Sequence, residues 1–190
     1  MRTRTIWVAM LVLVLHAAAG ASLAADTGMR IQIGDEAPEF QHEDLMTGKT
    51  VSLSEFRGRK VVMIEFWGTW CDICIHEIPD LLKLYADWKD KGFEFLSIAV
   101  PPGDADEVRT FLREKKIPYP TFLDEDLTVA AALYGLTGPI PIKVVIDHKG
   151  FVRYAHVGGY LPGDRQLSRV IEDLVKEMKK GNGRTANAPR

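Results

Sequence analysis

The 190-residue chain is long enough for one ordinary domain with a real hydrophobic core. Its 46% hydrophobic and 26% charged residues exclude a wholly disordered chain. A formal net charge of −2 offers no electrostatic footprint for nucleic acid or an anionic lipid surface.

The first 25 residues read as a targeting segment. Arg2 and Arg4 give a basic start, residues 6–15 form an apolar run, and Ser22-Leu23-Ala24 fits a small-x-small cleavage site. Residues 1–24 are therefore expected to be a signal peptide, with an uncleaved anchor as the alternative. The run is short for a spanning helix, which needs about 20 apolar residues. No cysteine lies near the site, which excludes a lipid anchor there. Either form places the domain in an exported compartment, and removal of the segment makes the chain more acidic.

A domain is expected over residues 31–180. Residues 39–42 and 50–53 read as two short strands around a Thr47-Gly48-Lys49 turn, and residues 52–56 as a short helical turn. Residues 60–67 are near-continuously apolar, as in a central strand buried on both faces, with Glu65 as the exception. Residues 72–91 form the longest helical pattern. Ile78, Leu81, Leu82, Tyr85 and Trp88 are its inner face, Pro79 is an expected kink, and Gly92 is an expected C-terminal cap. Strands are expected over 93–100, 119–122, 142–146 and 151–157, and helices over about 105–116, 127–134 and 164–180. Asp124 or Asp126 would cap the second of those helices. Gly158-Gly159 marks a bulge or a close approach. Residues 181–190 lack periodicity and read as a disordered tail. The alternation implies an α/β sandwich: a mostly parallel sheet with an antiparallel edge and helices on both faces.

The only two cysteines, Cys71 and Cys74, stand three apart where the strand pattern gives way to the long helix. On a first helical turn that spacing brings both sulfurs to one side, within bonding reach. The helix dipole favours a thiolate there. A bridge across so short a loop constrains little of the unfolded chain, so a redox role outweighs a structural one.

Trp70-Cys71-x-x-Cys74, after a buried strand and opening a helix with Pro79, resembles the thioredoxin superfamily. Several further signatures agree in order and spacing. They are Gly34-Asp35-x-Ala37-Pro38-x-Phe40, Gly48-Lys49-x-Val51-x-Leu53, residues 66–71, Glu77, Tyr134-Gly135, Pro141, the strand ending at Asp147, and Gly150. Together they are similar to the TlpA/ResA type of exported thiol-disulfide oxidoreductase, over roughly residues 33–178. The resemblance implies a thioredoxin-like fold with an N-terminal β-hairpin extension and a central βα insertion. It also implies Cys71 as nucleophile, Cys74 as the buried resolving thiol, and no cofactor. Pro141 matches the family's cis-proline, so Ile140-Pro141 would present a backbone edge to substrate; Pro139 is a competitor two residues away.

Glu77 matches a cleft glutamate of the ResA type, and Asp72 departs from the usual residues between the cysteines. Both carboxylates are expected to disfavour the thiolate and make the dithiol a better reductant; Asp72 screened by water is the alternative. Glu65 matches the superfamily's buried acid and is expected to exchange a proton with Cys74. Its alternatives are an outward register and a purely structural group. Trp67 and Trp70 are expected on an exposed apolar rim, with core packing the competing place for each. His42, His148 and His156 read as surface or edge residues.

The leading expectation is an exported reductant of protein disulfides. Oxidised protein cysteines, apocytochrome c thiols among them, are the implied substrates. A membrane protein of the CcdA or DsbD type is the implied electron donor, and a monomer or weak dimer the expected state. A thiol peroxidase ranks lower, because Ile64 and Gly68 occupy the places where the peroxidatic pattern needs Pro and Thr or Ser. A Cu(I)-binding chaperone using the soft sulfur pair is a third, non-enzymatic reading. A metal site that adds His76 is disfavoured, because one helix cannot easily close a tetrahedron.

Overall fold

The computed structural model of the chain describes residues 29–160 and 165–186. The targeting segment expected over 1–24 lies outside the described residues. Among them, no helix is long and apolar enough to cross a membrane.

Two sheets are present. The small one is a hairpin of β1 (Gln41–Glu43) and β2 (Thr50–Ser52), followed by a 3-10 turn at Leu53–Phe56. The main sheet holds β3 (Val61–Trp67), β4 (Phe93–Ala99), β5 (Thr121–Leu123), β6 (Ile142–Ile146) and β7 (Val152–Val157), in the order β5-β4-β3-β6-β7. β3 pairs parallel with β4 and antiparallel with β6. All seven of its residues are buried, as an apolar run flanked on both sides requires.

Strand alternation sorts the core into two layers. Val62, Ile64 and Phe66 face a layer shared with Phe40, Leu53, Phe122, Val129 and Tyr134. Val61 and Met63 face the opposite layer, built with Leu81 and Leu84 of α1 (Asp72–Trp88) and Leu167, Ile171 and Leu174 of α3 (Gln166–Ala186). α2 (Ala105–Lys115) sends Val108 and Leu112 against Trp67 and the two cysteines. Glu65 of β3 and Lys143 of β6 are register partners on the α1 side, in the places where alternation calls for apolar residues.

Two elements depart from expectation. Residues 127–134 form a π-helical segment, Thr128–Leu133, instead of an ordinary helix. Its wide turns are closed by i→i+5 bonds, Ala132 N to Leu127 O at 3.2 Å and Tyr134 N to Val129 O at 3.0 Å. Asp124 holds its start by accepting from Val129 N and Ala130 N, while Asp126 accepts from Thr128 N. The last helix continues through Gly181 to Ala186, so the tail expected over 181–190 is helical for most of its length. Extending a formed helix adds a bond per residue, which outweighs the poor propensity of a Gly-Asn-Gly run. Residues 187–190 lie outside the described residues. α1 runs through Pro79, as the expected 72–91 helix does.

Candidate active site

β3 ends at Trp67, in the centre of the sheet, and the chain turns through Gly68 into α1. Gly68 lets the Trp70 ring lie close: a Cβ there would sit 2.7 Å from the indole nitrogen and push the half-exposed ring aside. Cys71 is the N-cap of α1, and its sulfur accepts the Cys74 backbone N–H at 3.3 Å, the task usually given to Ser or Asp. A developing thiolate at this position therefore meets an amide donor and the positive end of the helix dipole. The two cysteines are disulfide-bonded, with Cα atoms 5.3 Å apart. Cys71 is 7% exposed and Cys74 2%, so an incoming group reaches Cys71 first.

The Ile140–Pro141 peptide is cis, as the resemblance implies, and the Ile140 carbonyl oxygen lies 3.9 Å from Cys71 Sγ. Trp70 is half exposed beside it. A groove of about 270 Å3 runs away from this point, lined by Trp70, Pro101, Leu127, Leu136, Pro139 and Ile140. Trp67 is not on this rim. It is buried in the layer behind the disulfide, against Phe111 with ring centroids 5.2 Å apart. Odd-numbered residues of β3 point inward toward α1 and α2, which takes Trp67 to the opposite side from Trp70. His148, expected at the surface, is also buried, in the hairpin between β6 and β7. Asp72 is exposed in the first turn of α1, where water screens its charge from the sulfurs.

Glu77 differs more sharply from the cleft position expected of it. It is 3% exposed, and Lys143 Nζ donates to its Oε1 at 2.7 Å. The Tyr160 backbone N–H donates to its other oxygen. Lys143 is 1% exposed, lies 3.3 Å from Glu65 Oε1, and donates to the Gly158 carbonyl at 3.4 Å. Three ionisable side chains from β3, α1 and β6 thus meet in the core. Burial pushes Glu65 up to about 8; the Lys143 charge opposes this and the Glu77 charge adds to it. Glu65 is consequently a neutral acid at pH 7. Sequence reasoning does not single out Lys143, although its signal is the one that exposes Glu65: one charged residue inside an apolar strand.

A cavity of about 10 Å3, the size of one water, lies against Glu65 and Cys74. Glu65, Trp67, Cys74, Ser97 and Tyr119 border it. Glu65 Oε1 and Trp67 Nε1 have no hydrogen-bond partner within the protein. The void has room for one water, and Ile78, Phe111 and Ile117 complete a mostly apolar wall around it. The arrangement sets a buried carboxyl and the inner sulfur on one small cavity, with the outer sulfur nearer the surface.

The comparisons agree with this geometry. The model of the AhpC/TSA family matches residues 33–155. The chain is 35% identical over 185 residues to a thiol-disulfide oxidoreductase ResA of Bacillus thuringiensis, covering 93% of this chain and 98% of the relative. It is 34% identical over 151 residues to the ResA of Bacillus subtilis, covering 80% and 78%. The crystal structure of a thioredoxin-family thiol:disulfide interchange protein from Chlorobium tepidum superposes with a TM-score of 0.65. It is 28% identical and covers 76% of this chain and 99% of that one. A disulfide at the N-terminus of α1, on a thioredoxin-like sheet, accords with these names: the chain belongs to the AhpC/TSA family and is a ResA-type thiol-disulfide oxidoreductase.

Proposed function

We propose that this oxidoreductase works as a reductant of protein disulfides in an exported compartment. The observation that carries the reading is the surroundings of Cys71 Sγ. One amide N–H favours a thiolate there, but the Ile140 carbonyl oxygen faces the sulfur at 3.9 Å. A carbonyl dipole opposes an anion and tolerates a thiol. The residues between the cysteines, Asp72 and Ile73, supply no cation. Strong oxidants of this chemistry depend on a stabilised reduced form, and nothing between these cysteines provides one.

In this mechanism the Cys71 thiolate attacks one sulfur of a partner disulfide, and the other partner sulfur leaves as a thiolate. Cys74 then gives its proton to the ionised form of Glu65 and attacks Cys71 Sγ, which releases the second partner thiolate and closes the disulfide. The Ile140-Pro141 backbone lies beside the extended substrate, and Trp70 and the adjoining groove take its apolar side chains. Apocytochrome c thiols are one candidate substrate and a membrane protein of the CcdA or DsbD type the candidate donor. The basic, apolar N-terminal segment supports export, either cleaved after Ala24 or kept as a tether.

The test is insulin reduction by the dithiol form, with peroxide consumption and Cu(I) competition run in parallel. Rapid insulin reduction is expected, lost in Cys71→Ser and arrested as a mixed disulfide in Cys74→Ser. Undiminished reduction by Cys71→Ser contradicts the mechanism. Peroxide turnover without insulin reduction moves the protein to the peroxidases, and tight Cu(I) retention without either moves it to metal transfer.

A further inference from the structure

We propose that Lys143 is a positioning residue for the proton that Cys74 exchanges: it pairs with Glu77 from across the sheet and leaves Glu65 as the one proton-carrying group beneath the disulfide. This deepens the reductant mechanism and rests on it for the identity of the reacting sulfur.

The geometry carries the proposal. β6 runs antiparallel to β3, with Lys143 opposite Glu65. The ammonium therefore lies between the Glu65 carboxyl, at 3.3 Å, and the Glu77 carboxylate, at 2.7 Å. All three side chains are at most 5% exposed. A buried ion pair holds a fold together no better than well-packed apolar side chains of the same volume. The rest of β6 is Ile142, Val144, Val145 and Ile146, so a leucine at 143 would satisfy the core. What a lysine adds there is charge control. Without it, two adjacent buried carboxyl groups share protons and titrate as a pair. With it, one carboxylate is fixed by an ammonium and the other is free to gain and lose a proton.

The other groups facing the cluster do not duplicate that task. The Tyr119 hydroxyl, before β5, is held neutral by burial, with the Glu65 and Glu77 charges adding to the effect. His156 of β7 is Lys143's register partner on its other side. The Gly158 carbonyl and the Tyr160 N–H complete the ring of partners from the chain after β7.

When an incoming thiolate attacks Cys71 Sγ and breaks the Cys71–Cys74 bond, Cys74 leaves as a thiolate and takes the proton from Glu65. In the reverse direction, Cys74–SH returns that proton to Glu65 as its sulfur closes on Cys71. The Glu65 anion produced by the first step stays 3.3 Å from the ammonium, so Lys143 serves both states.

The experiment follows the Glu65 side-chain carboxyl by 13C NMR across pH 4–11 in the oxidised full-length protein. Wild type is compared with Lys143→Met, Glu77→Gln and the double variant. Loss of the nearby cation is expected to raise the Glu65 midpoint by about one pH unit or more, and loss of the nearby anion to lower it by a similar amount. The double variant is expected between the two. The pH at which the Cys71/Cys74 reduction potential changes slope should move in the same directions. A merely structural lysine changes stability without these opposed shifts. An unmoved midpoint in Lys143→Met, or shifts of the same sign in both single variants, overturns the proposal. Should Lys143→Met fail to fold, the Glu77→Gln decrease and its reversal in the double variant carry the test, and their absence overturns it. Insulin reduction is scored separately: failure there overturns the reductant reading and leaves the titration result standing.

Discussion

In Glu65 the proposed proton exchange and the energetic cost of this site meet in one side chain. Its carboxyl is raised from 4.5 to about 8, chiefly by burial. The folded protein therefore holds a proton that the unfolded chain releases between those two values. Where the native state binds more protons, stability falls as pH rises, so this group's contribution is complete below about pH 4.5 and is lost progressively toward pH 8. Glu65→Gln keeps the shape without the titration. Urea unfolding at pH 5 and pH 8.5 should show the variant gaining a few kcal/mol on wild type at the higher pH. The same variant should slow the opening and closing of the disulfide by roughly 100-fold, the low end of general acid–base contributions. Wild-type resolution of the mixed disulfide should quicken up to about pH 8, as more Glu65 becomes the base. Glu65 was legible in the sequence because a lone acid in a buried strand is costly. Lys143 carries the same signal inside the apolar strand 142–146, but that the two are partners requires the register that sets β3 against β6. The same missing register is why Glu77 and Asp72 look alike in the sequence, although one is buried against an ammonium and the other lies in water.

At the level of elements, the β3–α1 junction and the Ile140–Pro141 turn lie side by side as the proposed substrate surface, with the half-exposed Trp70 as its apolar wall. Trp70→Ala is expected to raise KM several-fold for a folded protein disulfide and to leave the reduction of a small-molecule disulfide nearly unchanged. Stopped-flow kinetics with both substrates distinguishes these; equal loss on both would assign Trp70 to the structure of the junction. The π-helical segment behind the groove depends on Asp124, which is fully buried and accepts two amide N–H groups. Asp124→Ala leaves both donors unpaired and should cost about 1–3 kcal/mol per orphaned group, measurable by thermal unfolding. The apolar periods marked β3, α1 and α3 correctly, because long buried faces repeat. The π segment escaped because its period departs from 3.6 and its start is fixed by a carboxylate brought in from the end of β5. The end of α3 escaped because a Gly-Asn-Gly run resembles a stop signal and is overridden by propagation.

Across the whole molecule, the order β5-β4-β3-β6-β7 places the reactive strand at the centre and the disulfide at its carboxyl end. Layers on both faces hold Cys74 away from water while Cys71 meets the surface. The fold class and the redox pair were readable because two cysteines at a strand-to-helix switch need no tertiary information. The balance of charge around them did need it. Of the two carboxylates expected to hold back the thiolate, Asp72 is exposed to water and Glu77 is paired with Lys143, and Glu65 is neutral at pH 7, which leaves the Ile140 carbonyl as the restraint on Cys71. The central claim is that this site is a reducing dithiol. It is tested most directly by the equilibrium reduction potential of Cys71/Cys74 at pH 7 against a glutathione or thioredoxin couple. A value near thioredoxin's, about −270 mV, is the expected result. A value above about −150 mV, toward the oxidising members of this chemistry, would contradict it.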